Sequence, residues 1–253
     1  MDLGLADRVY VLTGASRGLG FATAQCLVAD GARVVISSRD AERVATAVEK
    51  LGGTDAAAGL AADLAAPDTP DRLVDLAYER FGRLDGALIS VGGPPQGTAL
   101  HVSDEQWLES FRTVFLGAVR TARTVAARLG EGGAIGFVLS TSVRQPIPNL
   151  GISNGLRPGL AGVARDMADE LGPRAIRVVS LLPGRILTDR NKELFAGADD
   201  PQKAQAEAAG QIPLRRLAEP EEFGRVAAFV LSPAASYLTG VAVPVDGGSI
   251  RAY

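Results

Sequence analysis

The octapeptide Thr13-Gly14-Ala15-Ser16-Arg17-Gly18-Leu19-Gly20 constrains this chain more than any other stretch. An apolar run, Val9-Tyr10-Val11-Leu12, ends just before it, and a helical pattern carried by Leu19, Ala22 and Leu27 begins inside it. Strand, glycine turn and helix in that order form a cradle for a pyrophosphate. Glycines let backbone N–H groups approach the anion, and the helix N-terminus adds partial positive charge. The spacing, Gly14-x-x-x-Gly18-x-Gly20, differs from the common dinucleotide fingerprint G-x-G-x-x-G. A plain strand-to-helix turn therefore competes with this reading until the rest of the chain is taken in.

The pattern that follows is strand and helix in strict alternation. Strands are predicted at 9–12, 33–36, 58–62, 84–90, 134–140, 176–182 and 241–245. Between them, helices are expected to Asp30 (closed by Gly31), to Leu51, over 68–81, over Asp104–Leu129 with Ser103 as N-cap, through Leu156 to Leu171, and over Glu219–Leu231. Such alternation means parallel pairing with right-handed crossovers, and the near-continuous apolar strands suit a sheet covered on both faces. The fold class is α/β, a doubly wound parallel seven-stranded sheet flanked by helices, in one domain over 1–253. Residues 190–214 break the rhythm: polar, alanine-rich and irregular, they read as a mobile lid over a binding crevice or as a solvated excursion.

Composition narrows the function. A net charge of −3 gives no basic field for nucleic acid, and no apolar run approaches the ~20 residues that span a bilayer. The start of the chain has no signal-peptide pattern, and its single cysteine, Cys26, excludes an internal disulfide. The expectation is a cytoplasmic protein without nucleic-acid or membrane partners. A lone loop histidine, His101, makes a metal site improbable, so none is assigned.

Four segments in register resemble the single-domain branch of the short-chain dehydrogenase/reductase family. Thr13–Gly20 matches its TGxxxGxG turn, and Asp63-Leu64 the pair that meets the adenine. Pro183-Gly184-Arg185-Ile186-Leu187-Thr188 matches the PGxxxT segment at the nicotinamide end. The tail from Pro213 to Gly248 looks like that of bacterial 3-oxoacyl carrier-protein reductases. The resemblance implies a Rossmann fold, a homotetramer or homodimer, a small-molecule substrate, and a nicotinamide cofactor held by Gly14, Ser16, Arg17, Gly18, Leu19, Gly20, Asp63, Leu64, Gly92, Pro183, Gly184 and Thr188. Ser38 and Arg39 stand where a carboxylate would bind a ribose 2′-OH. With Arg17 nearby they favour a 2′-phosphate, hence NADP(H), because guanidinium forks bind phosphate.

The family's catalytic residues are a different matter. Alignment puts Ser153 where its tyrosine belongs, Arg157 where its lysine belongs, Val114 in place of its asparagine, and Ser140 at its serine. No tyrosine lies between Tyr78 and Tyr237, and no lysine between Lys50 and Lys192. Only the C-terminus of a neighbouring subunit, with Tyr253, would bring a tyrosine in. Arg157 stays protonated, so it holds ribose or phosphate and polarises but donates no proton. Ser140, Arg157 and Ser153 are the candidate catalytic positions. Pro158, just after Arg157, predicts a helix that begins near Leu156–Pro158 or kinks there, with Ser153 and Asn154 on a looser segment. The functional expectation is an atypical NADP(H)-dependent oxidoreductase acting on a carbonyl or alcohol. The alternatives are a non-catalytic NADP(H)-binding module and an eliminase or isomerase on the same fold.

Overall fold

The structure is a computed structural model that describes residues 2–251. All seven expected strands form: β1 (Val9–Leu12), β2 (Arg33–Ser38), β3 (Ala57–Ala61), β4 (Gly86–Ser90), β5 (Ala134–Val138), β6 (Arg177–Pro183) and β7 (Val241–Val245). They hydrogen-bond in the order β3-β2-β1-β4-β5-β6-β7, and every pairing is parallel. The helices are α1 (Gly18–Ala29), α2 (Ala41–Lys50), α3 (Thr69–Phe81), α4 (Asp104–Ser110), α5 (Gly117–Arg128), α6 (Gly151–Leu171), α7 (Asp189–Ala196), α8 (Pro201–Gly210) and α9 (Pro220–Leu231).

The alternation of side chains along each strand builds two cores. Val9 and Val11 of β1 face one side, where Leu73, Val125 and Leu160 of α3, α5 and α6 cover them. Tyr10 and Leu12 face the other, under Leu27, Val44 and Phe223 of α1, α2 and α9. Each large apolar side chain buried this way contributes about 1.5–3 kcal/mol. Small residues set the layer spacing: a Cβ on Gly224 of α9 would fall 2.6 Å from the Ala22 carbonyl oxygen of α1. Strand order reverses between β1 and β4, which opens a crevice at the carboxyl ends of the strands.

Three elements depart from the sequence expectation. The helix expected over Asp104–Leu129 starts with the expected Ser103 capping box, but a wide π-helical turn, Phe111–Leu116, separates α4 from α5. There the Thr113 hydroxyl donates to the Glu109 carbonyl at 2.9 Å, taking an acceptor that the regular ladder uses. Residues 190–214 are largely helical rather than irregular. Asp200 caps α8 by accepting from Lys203 N at 3.0 Å, Pro201 opens the helix, and Ile212, Leu217 and Phe195 pack in a small core of their own.

The third departure is the start of α6, which begins at Gly151 rather than near Leu156–Pro158, so that Ser153 and Asn154 are helical and Pro158 lies inside the helix. Tertiary contacts override the local preference. The Asn154 amide accepts from Ile147 N at 3.0 Å and donates to Ile147 O at 2.9 Å, while Gly151 N donates to Gly97 O at 2.8 Å. A glycine every fourth residue lets neighbours close in. A Cβ on Gly151 would fall 2.6 Å from Ala99 N, and one on Gly155 would fall 2.8 Å from the Trp107 ring. Among the described residues no helix is long and apolar enough to cross a membrane.

Candidate functional site

A cleft of about 1190 Å³ lies along the carboxyl ends of β1 to β6, at the strand-order reversal. Its floor is the glycine turn. Gly14 and Gly18 adopt φ of 59° and 60°, which an L side chain rarely takes, and a Cβ on Gly14 would fall 2.8 Å from Ser90 O. Two bonds hold the turn against β4: the Thr13 hydroxyl donates to Ser90 O at 2.8 Å and accepts from Ser90 N at 2.9 Å. A third, from Ala15 N to Ser37 O at 3.0 Å, ties it to β2. Arg17 caps α1 without a side-chain bond to the helix, and the first turn carries no acid. The amides of that turn are thus left to an anion, and the cleft fits a dinucleotide pyrophosphate.

At the β2 end the wall is made by Ser37, Ser38, Arg39, Asp40 and Arg43. Asp40 is occupied there: it caps α2 by accepting from Arg43 N at 3.0 Å and pairs with the Arg43 side chain at 3.1 Å. Asp63 is also committed to its own turn, accepting from Ala65 N at 2.9 Å. At the other end the wall comprises Ser90, Val138, Leu139, Arg157, Pro183 and Thr188. Arg157 is buried, 6% exposed, and donates to the Val138 carbonyl at 3.0 Å. This anchor fixes a permanent positive charge in the cleft wall.

Most expected positions meet in this one cleft: Gly14, Ser16, Arg17, Gly18, Leu19, Gly20, Ser38, Arg39, Asp63, Leu64, Gly92, Arg157, Pro183 and Thr188 all line it. Three do not. Gly184 turns away, because its N–H pairs with Val245 O at 3.0 Å and a Cβ on it would strike Asp246 at 2.7 Å. Ser140 is half-buried just beyond the wall, its hydroxyl oxygen accepting from Ser142 N at 3.1 Å. Ser153 is 4% exposed, and its hydroxyl bonds that of Ser142 at 3.2 Å, beneath the loop that Asn154 clasps. Val114 is buried in the wall and offers no polar atom. Tyr237 is fully exposed, and Tyr253 lies outside the described residues. His101 bonds only Thr98, at 2.7 Å, and no group of metal-holding side chains exists among the described residues.

Sequence reasoning missed a wall. Gln106, Glu109, Ser110 and Thr113 line the cleft from α4 and the π turn, and Asp189 and Glu193 from α7. The first four fall at helical spacing on one face, a signal that the sequence held. Ser103 beside Glu105, another lining residue, holds that carboxyl below the usual range. Arg43 stands one turn into α2 and was findable in the same way. No tyrosine, lysine, histidine or cysteine is among the described lining residues.

The chain has extensive relatives. Residues 14–249 match the family model described as enoyl-(acyl carrier protein) reductase. Dehydrogenase/reductase SDR family member 2, mitochondrial, of Homo sapiens is 35% identical over 250 residues, covering 98% of this chain and 88% of its own. The crystal structure of L-sorbose reductase from Gluconobacter frateurii, complexed with NADPH and L-sorbose, superposes with a TM-score of 0.91 at 31% identity, covering all of both chains. A short chain oxidoreductase from Pseudomonas aeruginosa, described as containing an atypical catalytic center, gives a TM-score of 0.92 at 28% identity, again over all of both chains.

Proposed function

The chain belongs to the short-chain dehydrogenase/reductase family, and from that premise we propose an NADP(H)-dependent oxidoreductase that interconverts a carbonyl and an alcohol on a small molecule without the family's tyrosine, lysine and asparagine. The observation that carries it is one continuous cleft with hydroxyls and guanidinium groups at the β2 end and buried Arg157 at the other. Arg17, Ser38, Arg39 and Arg43 suit a 2′-phosphate, and the similar L-sorbose reductase was crystallised with NADPH. The single, half-buried Cys26 suits a reducing compartment, so we place the protein in the cytoplasm.

When bound, the cofactor supplies or accepts a hydride at the nicotinamide ring. The chain's own part is positioning. The glycine-turn amides hold the pyrophosphate, and Arg157, fixed by Val138 O, holds ribose hydroxyls and polarises the substrate oxygen. Ser140 orients that oxygen: its own oxygen already accepts from Ser142 N, so its hydrogen is free to donate. In reduction the carbonyl carbon takes the hydride and the oxygen takes a proton from water or a substrate hydroxyl. Lacking a general acid costs ~10²–10⁴-fold, whereas correct placement of reactants is worth up to ~10⁵–10⁸ M in effective concentration. The 190–214 segment, with α7 against the cleft, serves as the substrate lid.

A second reading, a non-catalytic NADP(H)-binding module, draws on Ser153 being buried against Ser142 rather than open to the cleft. NADPH oxidation over a panel of sugars and ketones separates the two. Turnover that falls at least tenfold in Ser140→Ala and stays within about twofold in Ser153→Ala supports the oxidoreductase. NADPH binding without turnover on any carbonyl supports the module. We also place a homodimer or homotetramer contact on the Asp104–Leu129 segment and α6, where Leu108 and Phe111 are exposed. A monomer in sedimentation at micromolar concentration would refute that contact.

A further inference from the structure

Arg17 has a rival partner. Its Nη1 lies 3.7 Å from a carboxylate oxygen of Glu193, which projects from α7 into the same cleft. Asp189, one helical turn earlier, lines the cleft too, so α7 turns two carboxylates toward the glycine turn. The start of α7 lies beside the glycine turn as well: a Cβ on Gly18 would be in ordinary van der Waals contact, at 3.7 Å, with the side-chain methyl of Thr188, the residue that opens α7. We propose that Glu193 is a specificity-determining residue for the cofactor, competing with the 2′-phosphate for Arg17 and thereby setting how strongly NADPH is preferred over NADH. This rests on the NADP(H) reading above.

The physical case is a contest for one guanidinium. Arg17 and Glu193 are both substantially exposed, at 49% and 70%, and the pair is single-pronged rather than a bidentate fork. Such a pair is weak and is readily broken by a dianionic phosphate, which binds a guanidinium by shorter, charge-assisted bonds. Once the phosphate is seated, Glu193 either swings away or stays beside a like charge. Both arrangements subtract from NADPH binding. NADH lacks that phosphate and does not contest Arg17 at this point. Linkage makes the effect reciprocal: a bound 2′-phosphate loosens the tie between α7 and the glycine turn.

The test is a double-mutant cycle on Arg17 and Glu193, with dissociation constants for NADPH and NADH measured by calorimetry at low and high salt. Glu193→Gln should tighten NADPH about two- to five-fold and leave NADH unchanged, the range an exposed ion pair allows. The gain should shrink at high salt and disappear in the Arg17→Ala background. An unchanged ratio of the two constants, or a gain that survives Arg17→Ala, overturns the proposal. Equal tightening of both cofactors also overturns it, by placing Arg17 on the pyrophosphate they share. A wild type and an Arg39→Asp variant that bind NADPH and NADH alike would instead strike the NADP(H) reading.

Discussion

Arg39 stands in the cleft wall where β2 ends, the position from which a carboxylate would accept a ribose hydroxyl and repel a phosphate. NADPH at a hundredfold excess over its Kd should therefore raise the melting temperature by roughly 5–10 °C, and NADH at the same concentration by less. Arg39→Asp should erase the difference in a thermal-shift measurement, and equal stabilisation of the parent by both cofactors would refute the phosphate site. At this scale the glycine turn and Ser38-Arg39 were readable from local chemistry and Asp63-Leu64 from the family resemblance; Ser38, Arg39, Asp63 and Leu64 all line the cleft. Gly184, Ser140 and Ser153 come from the family's spacing; the chain engages Gly184 and Ser153 with internal partners, whereas Ser140 accepts from Ser142 N and keeps its hydroxyl hydrogen to donate. Spacing along the sequence does not reveal that Ser142 claims Ser153, or that Asp246 packs on Gly184.

Among the elements, α9 shows how an end is tied down. Glu222 accepts both Nη groups of Arg216, at 2.6 and 2.7 Å, and also Glu219 N at 2.9 Å. These bonds, Arg216 foremost, hold its carboxyl down at about 2. A depressed folded value means the stabilisation is present above the ordinary carboxylate pKa and is lost as pH falls toward the folded one. The pair is exposed, so its weight is modest. Between about pH 4.5 and 2, wild-type stability should fall more steeply than that of Glu222→Gln in denaturant titrations; parallel curves would refute it. Strand positions and the Ser103 cap were readable from periodicity and capping chemistry. The π turn, α7, α8 and the start of α6 were not, because each depends on specific side-chain contacts that apolar periodicity does not encode: Thr113 bonding back to Glu109, the small core around Ile212, and Asn154 clasping Ile147.

Across the whole molecule, the topology was the most legible feature, since apolar strands separated by crossover helices leave few parallel arrangements. The chemistry was the least. Under the proposed function the chain keeps the cofactor cradle while replacing the groups that move a proton, and only the substituted positions, Ser153, Arg157 and Val114, mark the change. The central claim is hydride exchange with a carbonyl or alcohol in a cleft whose described lining holds no tyrosine, lysine, histidine or cysteine, the side chains that titrate between about pH 6 and 11. It is tested most directly by kcat for NADPH oxidation, with an accepted carbonyl, across pH 6 to 10. The expected result is measurable turnover with a kcat that shows no enzyme ionisation in that range. A kcat that titrates there as a single general acid, or cofactor binding with no turnover on any carbonyl, would contradict it.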